Sequence, residues 1–253
     1  MNIAVLVKQV PDTYSERTLG DDHRLDRESA DAVIDEIDSR GVEIALQLVE
    51  AAGSGDVTVV TMGPERATEV LRKALAMGAN RGIHVVDDSL AGADALTTSA
   101  VLAAALARQP YDLVITGNET TDGRTGSVPS MLAERLGLPA VTQAQKVSID
   151  GSTVHAERAD ESGYSDVTAQ LPALISVTEK ITDPRYPNFK GLMSAKKKPI
   201  ETFTVADLGV SVTPGNVVID VTPAAPRAAG QKVNDGGTGG QQVADFLVAA
   251  RII

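Results

Sequence analysis

Two patterns of hydrophobic and polar positions alternate along the first half of the chain. Four short apolar runs with many β-branched residues predict buried strands; they lie at residues 2–7, 57–62, 83–86 and 113–116. Four segments with apolar residues at helical spacing predict helices; these cover residues 39–52, 64–78, 93–108 and 128–136. Such alternation predicts an α/β fold, an open parallel sheet with helices on both faces.

Past residue 140 the pattern changes to a period of two residues. Four runs of this type are separated by turn formers such as Asp150-Gly151 and Ser162-Gly163. They lie at residues 141–149, 153–158, 164–171 and 173–177. Period-two runs joined by short turns predict an antiparallel extension of the sheet.

The last part of the chain has a different composition. Residues 211–240 are rich in Gly, Pro and Thr, and the chain ends in a short amphipathic stretch, QQVADFLVAARII. The predicted organisation is therefore an α/β domain over residues 1–210, followed over residues 211–253 by a flexible linker and a C-terminal arm. The arm is too short to bury its own apolar face, so it packs either on its own domain or on a partner.

Composition excludes several classes of function. The chain has no cysteine, so redox chemistry would need a bound cofactor rather than a thiol or a cysteine-ligated cluster. Its formal net charge is −11 and no continuous basic face is evident, which argues against nucleic-acid binding. No apolar run approaches the roughly 20 residues that span a bilayer, and no signal-type segment opens the sequence, so we expect no membrane insertion and a cytoplasmic location.

The most specific local motif is the glycine-rich stretch GNETTDGRTG, residues 117–126. It lies between a predicted strand and a predicted helix, a geometry that directs backbone N–H groups and the positive end of the helix toward one point, where a phosphate fits. Arg124 would add a charge-assisted contact. The stretch lacks the P-loop lysine, and an ordinary strand-to-helix turn is the alternative. Other loops at the same edge of the sheet favour a nucleotide site.

No catalytic or metal site is predicted. The three histidines lie on different segments without the spacing of a metal pair. Asp35, Glu36 and Asp38 precede a predicted helix, where capping of the helix N-terminus is a better explanation than metal binding. No Ser/His/Asp set can be nominated from spacing.

Several stretches, taken in order, resemble the β (small) subunit of electron-transfer flavoprotein over essentially the whole chain. The most specific are LRKALAMGANRGIHV and GLMSAKKKPI, which are not general α/β patterns. The full set is MNIAVLVKQVPD, VVTMGPERATEVLRKALAMGANRGIHV, GNETTDGRTG, LPALISV, RYPNFKGLMSAKKKPIE, ADLGV and PRAAGQKV.

The resemblance implies one subunit of an αβ heterodimer that carries FAD, held mainly by the α subunit. Such a heterodimer accepts electrons from acyl-CoA and related dehydrogenases, as in fatty acid oxidation, and passes them to a quinone oxidoreductase. The β subunit is then an electron-carrier subunit without substrate chemistry of its own, and it binds a structural AMP. Two alternatives remain open: a bifurcating-type subunit with a second FAD in place of AMP, and an ATP-binding stress-type signalling protein.

The resemblance also implies which residues contact the cofactor. They follow the first strand, precede the first long helix, follow the next strand and form the glycine-rich loop: Leu6, Asp35, Asp38, Met62, Gly117, Asn118, Thr120, Asp122, Gly123, Arg124 and Thr125. Family members often have Asn-Pro-Phe where this chain has Asp35-Glu36-Ile37.

Residues 185–200, called the docking segment below, match the family's recognition loop. Turn formers such as Pro187 and Gly191 predict that this docking loop projects from the domain. Phe189 aligns with the residue that anchors in the dehydrogenase, and Leu192 is the second choice; Met193 and Lys196 complete the predicted docking residues. The alternative is that the apolar side chains fold into the core and the lysines border a strand. The C-terminal arm is expected to pack on the α subunit.

Overall fold

In the computed structural model, strands and helices alternate from residue 36 to residue 136, as the periodicity predicts. The structure describes residues 1–212, 215–227, 229–230 and 232–253, which form two units, Met1–Ile219 and Asp220–Ile253. The elements of the first half are β1 (Asn2–Leu6), β2 (Gln9–Pro11), β3 (Ala32–Ile34), α1 (Glu36–Ala51), β4 (Asp56–Met62), α2 (Thr68–Met77), β5 (Arg81–Val85), α3 (Ala95–Leu106), β6 (Leu113–Gly117) and α4 (Val128–Leu136). Short 3₁₀ turns cover Glu65–Ala67 and Asp88–Leu90.

Strands dominate the next part of the chain. The elements are β7 (Ala140–Asp150), β8 (Thr153–Asp160), β9 (Gly163–Gln170), β10 (Ala173–Val177), α5 (Phe189–Ala195), β11 (Ile200–Phe203), α6 (Val205–Leu208) and α7 (Gly239–Ala249). Periodicity did not predict the antiparallel pair of β2 and β3, the edge strand β11 or the short helices α5 and α6.

The main sheet has nine strands in the order β11-β5-β4-β1-β6-β10-β7-β8-β9. Pairing is parallel from β11 to β7 and antiparallel between β7, β8 and β9. The α/β class and the antiparallel extension are therefore confirmed. The prediction that residues 173–177 belong to that extension is wrong, because β10 lies between β6 and β7 and pairs with both in parallel.

Helices cover both faces of the sheet because successive residues of each central strand point to opposite sides. Ile3 and Val5 of β1 join the core cluster formed with α1 and α2. Ala4 and Leu6 join the cluster on the other face, formed with α3 and α4. All four side chains are buried, which explains why β1 reads as a continuous apolar run.

Helix α1 begins three residues earlier than periodicity predicts, at Glu36. The Asp35 side chain caps it by accepting a hydrogen bond from the Ile37 N–H at 3.0 Å. The capping explanation for this acidic cluster is thus confirmed for Asp35.

The docking segment is a short helix and not an irregular projecting loop. Asn188 is the N-cap of α5, and its side chain accepts a hydrogen bond from the Gly191 N–H at 2.8 Å. Helix α5 packs closely on α2, since a Cβ on Gly191 would lie 2.5 Å from the carbonyl oxygen of Ala76. The segment then continues into strand β11, which pairs with β5 at the edge of the sheet.

The second unit contains helix α7, which forms in the predicted amphipathic stretch. Its apolar side chains include Val243 and Phe246, exposed by 50% and 56%. The predicted flexible linker includes four residues outside the described ranges: Thr213, Pro214, Ala228 and Gln231. Within the described ranges, no helix has the length and apolar character needed to cross a membrane.

Candidate functional site: a cleft at the carboxyl edge of the sheet

A cleft of about 980 Å³ opens where β1, β4, β5 and β6 end. Open α/β sheets bind ligands at this edge because the loops after neighbouring strands converge there. Seven of the predicted cofactor residues line the cleft: Leu6, Asp38, Met62, Gly117, Asn118, Thr120 and Thr125. Four do not line it: Asp35, Asp122, Gly123 and Arg124. The structure therefore brings most of the predicted set together; the Asp35 and Asp122 side chains are buried outside the cleft, and Gly123 and Arg124 are exposed.

The end of the glycine-rich loop offers free hydrogen-bond donors. Within the described residues, the backbone N–H groups of Thr125, Gly126 and Ser127 donate to no protein acceptor. They precede the N-terminus of α4, where the helix dipole is positive. Gly126 has a φ of 67°, a left-handed conformation that glycine adopts without strain. This combination suits an anion such as a phosphate.

The middle of the loop is occupied by its own hydrogen bonds. The Gly123 N–H donates to Asp122 Oδ1 at 2.7 Å and to Thr120 Oγ1 at 3.3 Å. The Arg124 N–H donates to the Thr120 carbonyl oxygen at 3.0 Å. Gly123 and Arg124 therefore use their N–H groups within the loop, whereas those of residues 125–127 have no acceptor among the described residues.

Asp122 holds the loop against the first part of the chain. Its side chain is fully buried and pairs with Lys8 Nζ at 2.9 Å and Arg27 Nη2 at 2.6 Å. Burial alone would raise the pKa of the Asp122 carboxyl, but the two cations and the Thr120 hydroxyl outweigh it and hold that pKa well below its usual range. Asp122 is therefore ionised and fixes the loop without facing the cleft. Lys8 and Arg27 were not predicted; a cation directly after the first strand was the available signal for Lys8.

Asp35 joins the loop to helix α1. While Oδ1 caps the helix, Oδ2 accepts hydrogen bonds from the Thr121 N–H at 2.8 Å and from the Thr121 hydroxyl at 2.9 Å. The carboxylate is completely buried and both of its oxygens have partners. Asp35 therefore contributes to the cleft by holding the loop in position. From the sequence, Asp35 was expected to contact the cofactor directly.

Asp38 lines the cleft in an unusual state. Burial raises the pKa of its carboxyl well above the usual value, and the neighbouring Asp35 charge raises it further. The opposing influence comes mainly from the backbone N–H groups of Lys8 and Gly117, and the first of these lies 2.8 Å from Oδ2. Gly117 is needed for this approach, because a Cβ there would lie 2.7 Å from Asp38 Oδ1.

Three buried polar atoms on residues that line the cleft have no partner among the described residues. They are Arg66 Nε and two oxygens, Thr116 Oγ1 near the end of β6 and Asn118 Oδ1 at the start of the loop. Buried oxygens of this kind are usually hydrogen-bonded, so they suit a ligand that brings donors. A nucleotide has such donors in its ribose hydroxyls and base, and its phosphate suits the free N–H groups of residues 125–127. The residues present therefore fit a nucleotide.

The predicted docking residues lie on a different surface, on and after α5. Phe189 is 79% exposed, and Leu192 and Met193 are each 51% exposed, so the alternative that they fold into the core is wrong. Lys196 is also exposed. No group of three or more His, Cys, Asp or Glu in the described part of the chain is arranged to hold a metal ion.

The fold and the cleft define an α/β protein with a ligand site at the carboxyl edge of a mainly parallel sheet. Comparison with known proteins identifies its relatives: the model of the electron transfer flavoprotein domain family matches residues 23–208. The electron transfer flavoprotein subunit beta of Mycobacterium tuberculosis is 50% identical over 264 residues, covering 100% of this chain and 99% of the relative. The chain belongs to the electron transfer flavoprotein family, among its β subunits.

More distant relatives extend the same relationship. The electron transfer flavoprotein subunit beta of Thermoanaerobacterium thermosaccharolyticum is 39% identical, with 90% of each chain covered. Subunit CarD of the caffeyl-CoA reductase-Etf complex of Acetobacterium woodii is 34% identical over 98% of this chain and 97% of its own.

Proposed function

We propose that this chain is the β subunit of a heterodimeric electron carrier in the cytoplasm. The heterodimer accepts electrons from acyl-CoA and other dehydrogenases through FAD held mainly by an α subunit, and passes them to a quinone oxidoreductase. The observation that carries the proposal is the full-length match to electron transfer flavoprotein β subunits, at 50% identity. FAD supplies the redox chemistry when bound, and this chain supplies a nucleotide site and a docking surface.

The nucleotide proposed for the cleft is AMP. Its phosphate would accept hydrogen bonds from the N–H groups of Thr125, Gly126 and Ser127, which are free in the described structure. Thr116 Oγ1 and Asn118 Oδ1 would accept from the ribose or the base. Asp122 and Asp35 hold the loop from behind, so the phosphate meets backbone donors rather than carboxylates.

A nucleotide assay tests both cofactors. The chain is produced together with the α subunit, the purified heterodimer is denatured, and the released nucleotides are quantified by chromatography. We expect one FAD and one AMP per heterodimer. Gly126→Val should lower the AMP content, because valine at a φ of 67° is strained. Gly123→Val is the matched control, since its Cβ would come no closer than 3.4 Å to any atom. Heterodimer without AMP would contradict the assignment.

A second candidate is a second FAD in place of AMP. The cleft volume of about 980 Å³ lies near the upper end of ordinary ligand sites, which span roughly 300–1,000 Å³. The residues that line the cleft also include Asp87 and Thr98. The same assay separates the candidates, because release of two FAD without AMP would support this one. ATP alone, without any flavoprotein partner, would support a signalling protein instead.

The C-terminal residues are proposed to contact the α subunit. Helix α7 exposes Val243, Phe246 and Val248, a set too apolar for a free surface helix. Residues 1–210 would then form the nucleotide-binding domain and residues 211–253 a linker and arm. Deleting residues 236–253 should lower the yield of heterodimer more than it lowers the solubility of the isolated chain. Unchanged affinity for the α subunit would contradict the arm.

A further inference from the structure

The docking segment exposes large apolar side chains on a backbone that is held at both ends. Phe189, Leu192 and Met193 face solvent. Charged residues on either side of them point inward and pair with helices α1 and α2. A segment that becomes ordered only on binding loses affinity, because its ordering costs entropy. Contacts that hold the segment in place before binding therefore favour docking.

The first end is held by one face of α1. Arg40, Glu43, Gln47 and Glu50 follow each other at spacings of three and four residues, which places them in one row along the helix. The row receives residues 182–185: Arg40 donates to the Thr182 carbonyl oxygen and pairs with Asp183 at 2.6 Å, and Gln47 Nε2 lies 3.4 Å from Thr182 Oγ1.

Arg185 completes this row with two carboxylates at once. Its Nε and Nη2 donate to Glu43 at 2.7 and 3.1 Å, and its Nη1 and Nη2 donate to Glu50 at 2.7 and 3.2 Å. The Arg185 backbone N–H also donates to Glu43, at 3.1 Å. Glu43 is nearly buried, with a side chain 6% exposed. Paired geometry of this kind fixes the direction of the chain as well as its charge.

The other end is held by the C-terminus of α2. Lys198 Nζ donates to the carbonyl oxygens of Leu75, Gly78 and Ala79 at 2.9, 3.3 and 2.6 Å. In return Arg72 of α2 donates to the carbonyl oxygens of Ala195 and Lys198 at 2.7 and 2.8 Å. A cation at a helix C-terminus is favourable because the last carbonyl groups otherwise lack partners.

We propose that Arg185 and Lys198 are positioning residues for dehydrogenase docking, which hold α5 so that Phe189 is presented in its binding conformation. This inference rests on the proposed function. Of the three lysines at positions 196–198, Lys198 donates to backbone carbonyl groups at the C-terminus of α2, whereas the other two are exposed. In this role each positioning residue acts through α5, by removing an ordering cost from the encounter.

The test uses the purified heterodimer and an acyl-CoA dehydrogenase of the source organism, driven by its acyl-CoA substrate, with flavin reduction as the readout. Arg185→Met should raise the KM for the heterodimer about tenfold and change kcat less than about twofold, because only binding loses its preorganisation. Arg185→Lys keeps the charge without the paired geometry and should raise KM about threefold. Lys198→Met should raise KM about fivefold, and it provides a second variant if Arg185→Met does not fold.

Two matched controls accompany these variants. Lys146→Met removes a cation that is 74% exposed from an ion pair between β7 and β8, which takes no part in holding the docking segment. Lys197→Met removes a neighbouring lysine that is exposed. Each should change KM less than about twofold. Hydrogen exchange at the amides of residues 186–198 should accelerate in Arg185→Met and Lys198→Met and stay unchanged in the controls.

A double variant separates this inference from the proposed function. If Arg185 acts by presenting Phe189, Arg185→Met should have little further effect on KM in a Phe189→Ala background. Normal KM in both Arg185→Met and Lys198→Met, together with a raised KM in Phe189→Ala, would overturn the positioning roles and leave the docking surface intact. Normal KM in Phe189→Ala and Leu192→Ala would overturn the docking surface, and the positioning roles with it.

Discussion

The glycine-rich loop at the cleft and the docking segment present different kinds of group to their ligands, polar in one and apolar in the other. In both, charged side chains hold the backbone in place. At the cleft, the groups proposed to face the ligand are backbone N–H donors, and Asp122 and Asp35 hold them from behind. At the docking segment, the outward groups are apolar, and Arg185 and Lys198 hold them from behind. In both regions the charged side chains stabilise the backbone. The charge of a residue therefore does not show whether it faces the ligand or supports the site.

The largest effect is expected where the cleft tolerates no extra atom. Gly117→Ala should destabilise the protein by about 3 kcal/mol, because its Cβ would displace Asp38 from its backbone hydrogen bonds. The same Cβ would also lie 3.2 Å from the Glu119 carbonyl oxygen. Gly123→Ala in the same loop is the matched control and should change stability by less than about 0.5 kcal/mol. Chemical unfolding measures both, and equal effects of the two alanines would refute this account of the loop.

The second largest effect is expected at Asp122, whose charge holds the glycine-rich loop in place at the cleft. Asp122→Asn should lower the free energy of unfolding by about 2 kcal/mol at pH 7, less than for a fully buried pair because Lys8 and Arg27 are partly exposed. Asp183→Asn is the control: that carboxylate is 93% exposed and its pair with Arg40 is worth little.

The Asp122 prediction also has a defined pH dependence. The pKa of Asp122 is lower in the folded protein than in the unfolded chain, so its contribution is complete above the unfolded value near 3.8 and is lost as pH falls through the folded value. Chemical unfolding at pH 7 and at pH 3 should therefore show the cost of Asp122→Asn shrinking at the lower pH. A cost that stays constant would show that ionisation of Asp122 is not its source.

Substitution of Phe189 in the docking segment should impair electron transfer from a dehydrogenase without lowering the stability of the protein. Phe189→Ala should lower kcat/KM for electron acceptance from an acyl-CoA dehydrogenase at least tenfold, which corresponds to about 1.4 kcal/mol. Burial of one large apolar side chain is worth about 1.5–3 kcal/mol, enough for this loss. The thermal stability of the heterodimer and its FAD and AMP contents should stay near those of the wild type. A drop in stability comparable to that of Gly117→Ala would place Phe189 among the supporting residues instead.

Local patterns predicted the elements well, because burial on one or both faces determines the spacing of apolar residues. Helix α4 and strand β10 have the predicted bounds. The partner of a strand is not a local property, so the position of β10 between β6 and β7 could not be read from its sequence. The nearly continuous apolar run ALISV did carry a signal for a strand buried on both faces, which is typical of a parallel sheet.

The sites divide in the same way. The glycine-rich loop was predicted from a local signal within residues 117–126, whereas the docking residues were implied by the family resemblance. Arg185 and Glu43 are 142 positions apart, and the sequence around either residue does not predict its contact with the other. The spacing of polar residues along α1 was the available signal, since a charged row on a helix that also covers the sheet implies a second contact.

Asp38 provides the smallest expected effect and the clearest contrast with Asp122, because its pKa is shifted in the opposite direction. Burial makes the folded protein bind this proton more tightly than the unfolded chain does, so Asp38 costs stability increasingly as pH rises above about 3.8, until the folded value is passed. Asp38→Asn removes that cost. The amide nitrogen of the introduced asparagine would also face one of the two backbone N–H groups from which the carboxyl accepts hydrogen bonds. Loss of that hydrogen bond costs about 1 kcal/mol of stability. The net change at pH 7 should be small, while the difference in unfolding free energy, variant minus wild type, should increase with pH. Chemical unfolding of both proteins between pH 5 and pH 8 measures this slope, and a flat or falling difference would contradict a raised pKa of Asp38 in the folded protein.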